Sequence, residues 1–194
     1  MTESLTEPLT AFNTHRPILE HYIKNTSGDI IEVGMGDGST GFILDLIKGT
    51  NRKLVSLENN EGWYDKMLTI YPPSKNHIYE FYTEYERDLQ NIFDKYPQQF
   101  SIAFIDSSPW MSRVNAMNYY RNTKKCNYIM VHDVDYFPKS KIFGKVTNMY
   151  LDKEPDLDFS DVSENFRLFY PPKPYPAPTG PPTLIFSPNG TELL

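Results

Sequence analysis

Short apolar runs alternate along this chain with stretches whose apolar residues recur at helical spacing. Asp29-Ile30-Ile31-Glu32-Val33 reads as a strand, and Phe42, Ile43, Leu46 and Ile47 then form one apolar helical face. Lys53-Leu54-Val55-Ser56-Leu57 is strand-like, and a helix follows from about Gly62 to Ile70, stopped by Pro72-Pro73. His77 to Tyr82 predicts a third strand, Arg87 to Tyr96 a helix, and Phe100 to Ile105 a fourth strand. A helix near Arg113 to Asn122, the strand Tyr128-Ile129-Met130-Val131 and a helix near Ile142 to Leu151 continue the pattern. Arg16 to Lys24 predicts a further helix, packed at the sheet edge. Alternation of this kind implies a parallel sheet with helices on both faces.

The alternation breaks near the end. Phe166 to Tyr170 and Thr183 to Phe186 are strand-like runs separated by the proline-rich stretch 171–182. Proline fixes φ and removes a donor, so this stretch is neither helix nor inner strand. The expected arrangement is an antiparallel pair joined by a stiff loop, with a docking ligand for a polyproline-reading partner as the alternative. No internal repeat interrupts the chain, and 1–194 is read as one domain.

Composition narrows the function classes. The 194 residues are 39% hydrophobic and 23% charged, an ordinary globular balance with enough chain for a full core. No apolar run reaches the ~18–20 residues of a membrane helix, and the acidic, polar start is not a signal peptide. The single Cys126 excludes an internal disulfide and a cysteine-built zinc site, and a reducing, cytoplasmic setting is expected. The net charge is -6 and the pI about 5.2. The lysines are scattered, and the loose cluster of Lys139, Lys141 and Lys145 reads as a solvated helix face. Affinity for nucleic acid comes from neutralising phosphates, so no nucleic-acid partner is expected; nor is a membrane partner.

Candidate chemistry gathers at the ends of the strands. Between the first strand and first helix lies Gly34-Met35-Gly36-Asp37-Gly38-Ser39-Thr40, a turn that brings backbone close to a ligand and offers it helix N–H groups. A dinucleotide fingerprint wants G-x-G-x-x-G, and Ser39 stands where its third glycine would be. Glu32 precedes the loop by two positions; a carboxylate there repels a pyrophosphate and suits a cationic ligand such as the methionine part of S-adenosylmethionine. With these residues, the segment from Ile31 to Thr40 resembles motif I of class I S-adenosylmethionine-dependent methyltransferases. Its Gly-Ser-Thr ending resembles the branch that holds catechol O-methyltransferase-like and sugar O-methyltransferase-like enzymes. The resemblance covers about Pro17 to Phe186, although only motif I is specific. It implies a Rossmann-like α/β three-layer sandwich, a seven-stranded mostly parallel sheet ordered 3-2-1-4-5-7-6 with the last strand antiparallel. It implies also that Glu32, Gly34, Gly36, Gly38, Ser39 and Thr40 bind the cofactor. Glu58, at the end of the second strand, is expected to accept the ribose hydroxyls. After Asn59 and Asn60, Trp63 either lies against the adenine or packs in the core.

Asp106 ends the fourth strand and Asp133 follows the fifth, so the two acids are expected to face one crevice beside the glycine loop. Asp106 matches a metal-ligand aspartate of the catechol enzymes, and a further role toward the cofactor amino group is open. Asp133 matches the next ligand, but Val134 follows it where that family has Asn or Asp. His132 precedes it, a His-Asp pairing that resembles methyltransferases proposed to act on sugars. Asp106, Asp133 and His132 are thus the expected catalytic group and the expected ligands of a Mg or Mn ion, which would lower a hydroxyl's pKa. His132, with an ordinary pKa near 6.5, is the expected general base. Arg113 and Asp135 are the expected substrate contacts, Arg113 alternatively pinning its loop to an acid. His15 and Arg16 are expected to close over the cofactor carboxylate. The activity expected is methyl transfer from S-adenosylmethionine to a hydroxyl of a sugar or glycan. The alternatives are a small phenolic acceptor or a non-catalytic nucleotide-binding module. Oligomeric state stays open.

Overall fold

Successive side chains of a strand point to opposite faces, and here both faces are apolar. The structure, a computed structural model, describes residues 13–84, 87–134, 166–169 and 181–194. In chain order the elements are α1 (Arg16–Asn25), β1 (Ile30–Val33), α2 (Thr40–Ile47), β2 (Leu54–Glu58), α3 (Glu61–Ile70), β3 (His77–Phe81) and α4 (Arg87–Lys95). After them come β4 (Phe100–Ile105), α5 (Trp110–Thr123), β5 (Cys126–His132), β6 (Phe166–Phe169) and β7 (Thr183–Phe186). The strands form one seven-stranded sheet in the order β3-β2-β1-β4-β5-β7-β6. The first five are parallel, while β7 is antiparallel to both β5 and β6. This is the expected architecture.

The period of two sorts the core into two layers. Ile31, Val33, Val55, Leu57, Ala103, Ile105, Ile129 and Val131 face one side, against Leu89, Ile92 and Phe93 of α4 and Val114, Met117 and Tyr120 of α5. Ile30, Leu54, Ile102, Phe104, Tyr128 and Met130 face the other, against Leu19, Tyr22 and Ile23 of α1 and Ile43 and Ile47 of α2. β1, β2 and β4 are buried along their whole length. Strands so covered read as continuous apolar runs, which is why their positions are legible in the sequence.

Two differences from expectation have local causes. β5 is longer than the apolar run Tyr128–Val131, because it is paired on both sides: Cys126 is in register with Phe100, and His132 with Thr183. α5 starts at Trp110, earlier than its apolar pattern, directly after Pro109, whose fixed φ suits a helix start. The helix expected near 142–151, the lysine cluster, Asp135 and most of the proline stretch, 171–180, lie outside the described residues. Among the described residues, no helix is long and apolar enough to cross a membrane.

Candidate active site

The carboxyl ends of β1, β2, β4 and β5 meet at one rim. Gly34 leaves β1 with φ +93°, a left-handed conformation costly for any other residue. A Cβ there would lie 2.5 Å from the Asp106 carbonyl oxygen and 2.5 Å from the Ser107 Cα. The glycine thus permits the turns after β1 and β4 to touch. Strand bonds lock the crossing: the Gly34 amide donates to the Leu57 carbonyl (2.9 Å) and the Asp106 amide to the Val33 carbonyl (2.8 Å). Beyond it, the amides of Ser39 and Thr40 donate to the Gly36 carbonyl, which starts α2. Arg16 reaches the same loop from the first turn of α1. Its guanidinium donates to the Gly38 carbonyl (2.8 Å) and the Asp37 carbonyl (3.2 Å), tying the loop to α1.

Glu32 lies beneath this loop. β1 puts it in register with Ser56 and Phe104, on the face that α1 and α2 cover. Its carboxylate is fully buried and accepts from Ser39 Oγ (2.6 Å), Thr40 Oγ1 (2.9 Å) and Ser56 Oγ (2.8 Å). Burial pushes its carboxyl up to about 7, against the pull of these three hydroxyls. Glu32 therefore braces the first turn of α2 from below, where a carboxylate favours the helix dipole. Thr40 is likewise fully buried; its hydroxyl donates to Glu32 and accepts from the Gly36 amide (3.1 Å).

Glu58 ends β2 and clasps the loop from the other side. Oε2 accepts from the Met35 amide (3.0 Å), and Oε1 from the amides of Asn59 (2.8 Å) and Asn60 (2.9 Å). A carboxylate has about four acceptor positions, so about one is left for a ligand hydroxyl. Asn60 caps α3 by accepting from the Trp63 amide. Trp63 then donates its indole N–H to the Met35 carbonyl (2.7 Å) and carries the Lys66 ammonium 3.9 Å over its ring.

The acids are gathered by an arginine. Asp106 follows β4, His132 ends β5, and Asp133 follows with φ +54°, a conformation rare outside glycine and common at functional sites. Arg113 reaches from α5 to within 2.6 Å of Asp106 Oδ1 and 3.3 Å of Asp133 Oδ2. It also donates to the carbonyls of Ser107 (2.7 Å) and His132 (2.6 Å), and stacks 4.2 Å from the Trp110 ring centre. The second oxygens of both acids, Asp106 Oδ2 and Asp133 Oδ1, each lie 3.3 Å from His132 Nδ1. Arg113 is buried and committed to these partners. These contacts are those of the second role expected for it, pinning its loop to the acids.

The electrostatics follow from the packing. Burial draws the His132 pKa down, but Asp106 and Asp133 outweigh it and hold the imidazole at about 9, charged at neutral pH. Burial works against the charged form of Asp106 too, yet Arg113 and then His132 keep its carboxyl well below the usual range. His15 lies at the entry to α1, its ring 4.7 Å from those of His132 and Phe104. Burial, then the His132 charge, lowers it to about 3, so it is neutral. Among the described residues, neither of its ring nitrogens meets a partner in hydrogen-bonding geometry, although the Gly38 carbonyl is near enough to favour the charged form.

These groups enclose a cavity of about 380 Å³. Met35, Gly36, Asp37, Gly38, Ser39 and Trp63 line one side; His15, Asp106, His132 and Asp133 line the other. Of the expected cofactor residues, Gly36, Gly38, Ser39 and Asp106 thus face it, while Glu32, Gly34, Thr40 and Glu58 shape it from behind. Donor atoms of His15, Asp106 and His132 lie within 4.8 Å of one another, in an arrangement able to hold a metal ion. The expected set had Asp133 in place of His15. His15 stands far from the acids in sequence, and its one local signal is the polar run Asn13-Thr14-His15 before a proline-capped helix.

No protein-family model matches the sequence, and no curated protein matches it. Solved structures match the fold. A putative O-methyltransferase from Klebsiella pneumoniae aligns with TM-score 0.58 at 15% identity, over 94% of this chain and 83% of its own. An O-methyltransferase from Bacillus cereus, solved with SAH, aligns with TM-score 0.58 at 11% identity, over 94% and 84%. A putative rRNA methylase from Clostridium thermocellum aligns with TM-score 0.52 at 14% identity, over 92% and 99%. At these identities the likeness is one of fold: the chain has the class I S-adenosylmethionine-dependent methyltransferase fold.

Proposed function

We propose that this chain is an S-adenosylmethionine-dependent O-methyltransferase whose acceptor is a hydroxyl of a sugar or glycan. The observation that carries the reading is the shared cavity, with the glycine loop on one wall and the Asp106, His132 and Asp133 group on the other. Its volume lies in the range of small-ligand sites. Gly36 fits a cofactor cradle, since the nearest atom to a Cβ built there is Ser39 Oγ at 3.5 Å and a side chain would occupy cavity space. The loop backbone, Ser39 and the remaining acceptor position of Glu58 would hold the cofactor, with Trp63 at its side. Bound there, the cofactor supplies a methyl group on a sulfonium, an electrophile for an oxygen lone pair.

The chain's own residues orient and deprotonate the acceptor. His132 was expected to be the base, but Asp106 and Asp133 raise its pKa and so favour the protonated form, which has no lone pair to take a proton. Asp133 is the better candidate: its side chain keeps 19% exposure while His132 keeps 2%. Arg113 and His132 hold Asp133 in place, and its carboxylate accepts the hydroxyl proton as the new bond forms. A metal-assisted form of the same reading would use Asp106 and His132 among the ligands of a divalent ion, and it requires the His132 proton to leave.

The acceptor wall supports a sugar over a phenol. It consists of two imidazoles and two carboxylates, donors and acceptors suited to a hydroxyl-rich ligand and poor as an aromatic slot. The -6 charge argues against an RNA acceptor, although an rRNA methylase shares the fold. The test is transfer of labelled methyl from S-adenosylmethionine to a panel of sugars and glycans, phenols and RNA. Transfer confined to the first class, and lost in Asp133→Ala, is expected. Transfer only to phenols or RNA would overturn the acceptor, and unchanged transfer in Asp133→Ala would overturn the base. Binding of S-adenosylhomocysteine with no transfer to any acceptor would favour a non-catalytic module.

A further inference from the structure

Thr14 Oγ1 lies 2.9 Å from His132 Nε2 and 3.1 Å from the Pro181 carbonyl oxygen. When the hydroxyl gives its one proton to the carbonyl, it accepts from a hydrogen on Nε2 and leaves Nδ1 free to act as a ligand. Nδ1 faces Asp106 Oδ2 and Asp133 Oδ1 at 3.3 Å each, with neither in hydrogen-bonding geometry. A lone pair aimed at two carboxylate oxygens is repulsive unless something positive lies between them, either a proton or a metal ion. Donors about 2.1 Å from one ion at tetrahedral or octahedral angles are about 3.0–3.4 Å apart, which the 3.3 Å spacing matches.

His15 adds a second, independent observation. Its imidazole is 1% exposed, lines the same cavity and, among the described residues, has both nitrogens unpartnered in hydrogen-bonding geometry. A buried polar group in that condition is costly and calls for a ligand. We propose that His15, His132 and Asp106 bind one divalent first-row transition ion, such as Mn2+, Fe2+ or Zn2+. The ion sits at His132 Nδ1, with Asp133 outside the ligand set. Two imidazoles select such ions over Mg2+, which prefers oxygen ligands. The surroundings are those of a metal-ligating histidine: Thr14 receives the distal N–H, and Arg113 holds the far oxygen of Asp106. Binding releases the Nδ1 proton.

The proposal is independent of the cofactor reading, so the test uses metal alone. Chelator-stripped full chain is titrated with Mn2+ by electron paramagnetic resonance, and pulsed spectra count the coordinated nitrogens. One Mn2+ per chain with two imidazole nitrogens is expected, undisplaced by excess Mg2+. His15→Ala should leave one nitrogen and weaken Mn2+ by about tenfold or more. Absence of stoichiometric Mn2+ binding, a wild-type spectrum with fewer than two imidazole nitrogens, or displacement by Mg2+ at comparable concentration would overturn it. The wild-type spectrum decides even if His15→Ala fails to fold.

Discussion

Gly34 and Gly36 sit two residues apart in one loop and should respond to alanine in opposite ways. At Gly34 an added Cβ meets the Asp106 carbonyl oxygen and the Ser107 Cα at 2.5 Å. Both are backbone atoms, so no side-chain rotation relieves the overlap. Alanine at φ +93° adds conformational strain of about 1–3 kcal/mol. Overpacking a tight contact adds about 1–3 kcal/mol more. The sum, about 2–6 kcal/mol, is a large share of the ~5–15 kcal/mol that holds a domain folded. At Gly36 the nearest atom to a Cβ is 3.5 Å away, an ordinary contact, so Gly36→Ala should change stability by less than about 0.5 kcal/mol. Urea unfolding of the three proteins, followed by fluorescence, measures this directly. With a slope of about 2 kcal/mol/M, Gly34→Ala should lower the midpoint by about 1–3 M. A midpoint within about 0.25 M of wild type would refute the claim that Gly34 is required where the turns after β1 and β4 cross.

Glu32→Gln should alter the pH dependence of stability. The folded carboxyl is raised to about 7, so its favourable contribution is complete below the unfolded value of 4.5 and is lost as pH rises through 7. The glutamine variant should match wild type near pH 4.5 and exceed it at pH 8, by up to about 3 kcal/mol; a variant that loses ground at pH 8 would show that the three hydroxyls outweigh burial. Arg113→Met removes the guanidinium from two acids and two carbonyls, leaving buried charge uncompensated, and should destabilise by about 3–5 kcal/mol in denaturant. A loss under about 1 kcal/mol would mean that the acids are held by other contacts. Ser39→Ala leaves a buried Glu32 oxygen short of a donor and should cost about 1–3 kcal/mol by the same assay, and no loss would place Ser39 outside the brace.

How much of this was legible in the sequence depended on the range of the interaction. Most strand positions follow from apolar runs, because strands buried on both faces need continuous apolar residues, while the strand order came from the resemblance carried by the glycine loop. The end of β5 was less legible, since Cys126 and His132 are strand only through partners on β4 and β7. The glycine loop and the acids at the strand ends came from local spacing. The direction of Glu32 did not, although Ser39, Thr40 and Ser56 were the clue: three hydroxyls surround a carboxylate that a strand buried on both faces must turn inward. Arg113 stayed between two roles because nothing in α5 marks which side meets the acids; that helix buries Ser112 and Arg113 beside Val114, Ala116 and Met117. The Thr14–His132 contact spans 118 residues and leaves no local trace.

The central claim is that the cavity between the glycine loop and the β4 and β5 ends holds S-adenosylmethionine. Calorimetric titration of the full chain with S-adenosylhomocysteine, in wild type and Gly36→Ala, tests it most directly. One-to-one binding in wild type, weakened about tenfold or more (~1.4 kcal/mol) in a variant of unchanged stability, is the predicted result. No binding to wild type, with or without added Mn2+, or equal binding to both proteins, would contradict it.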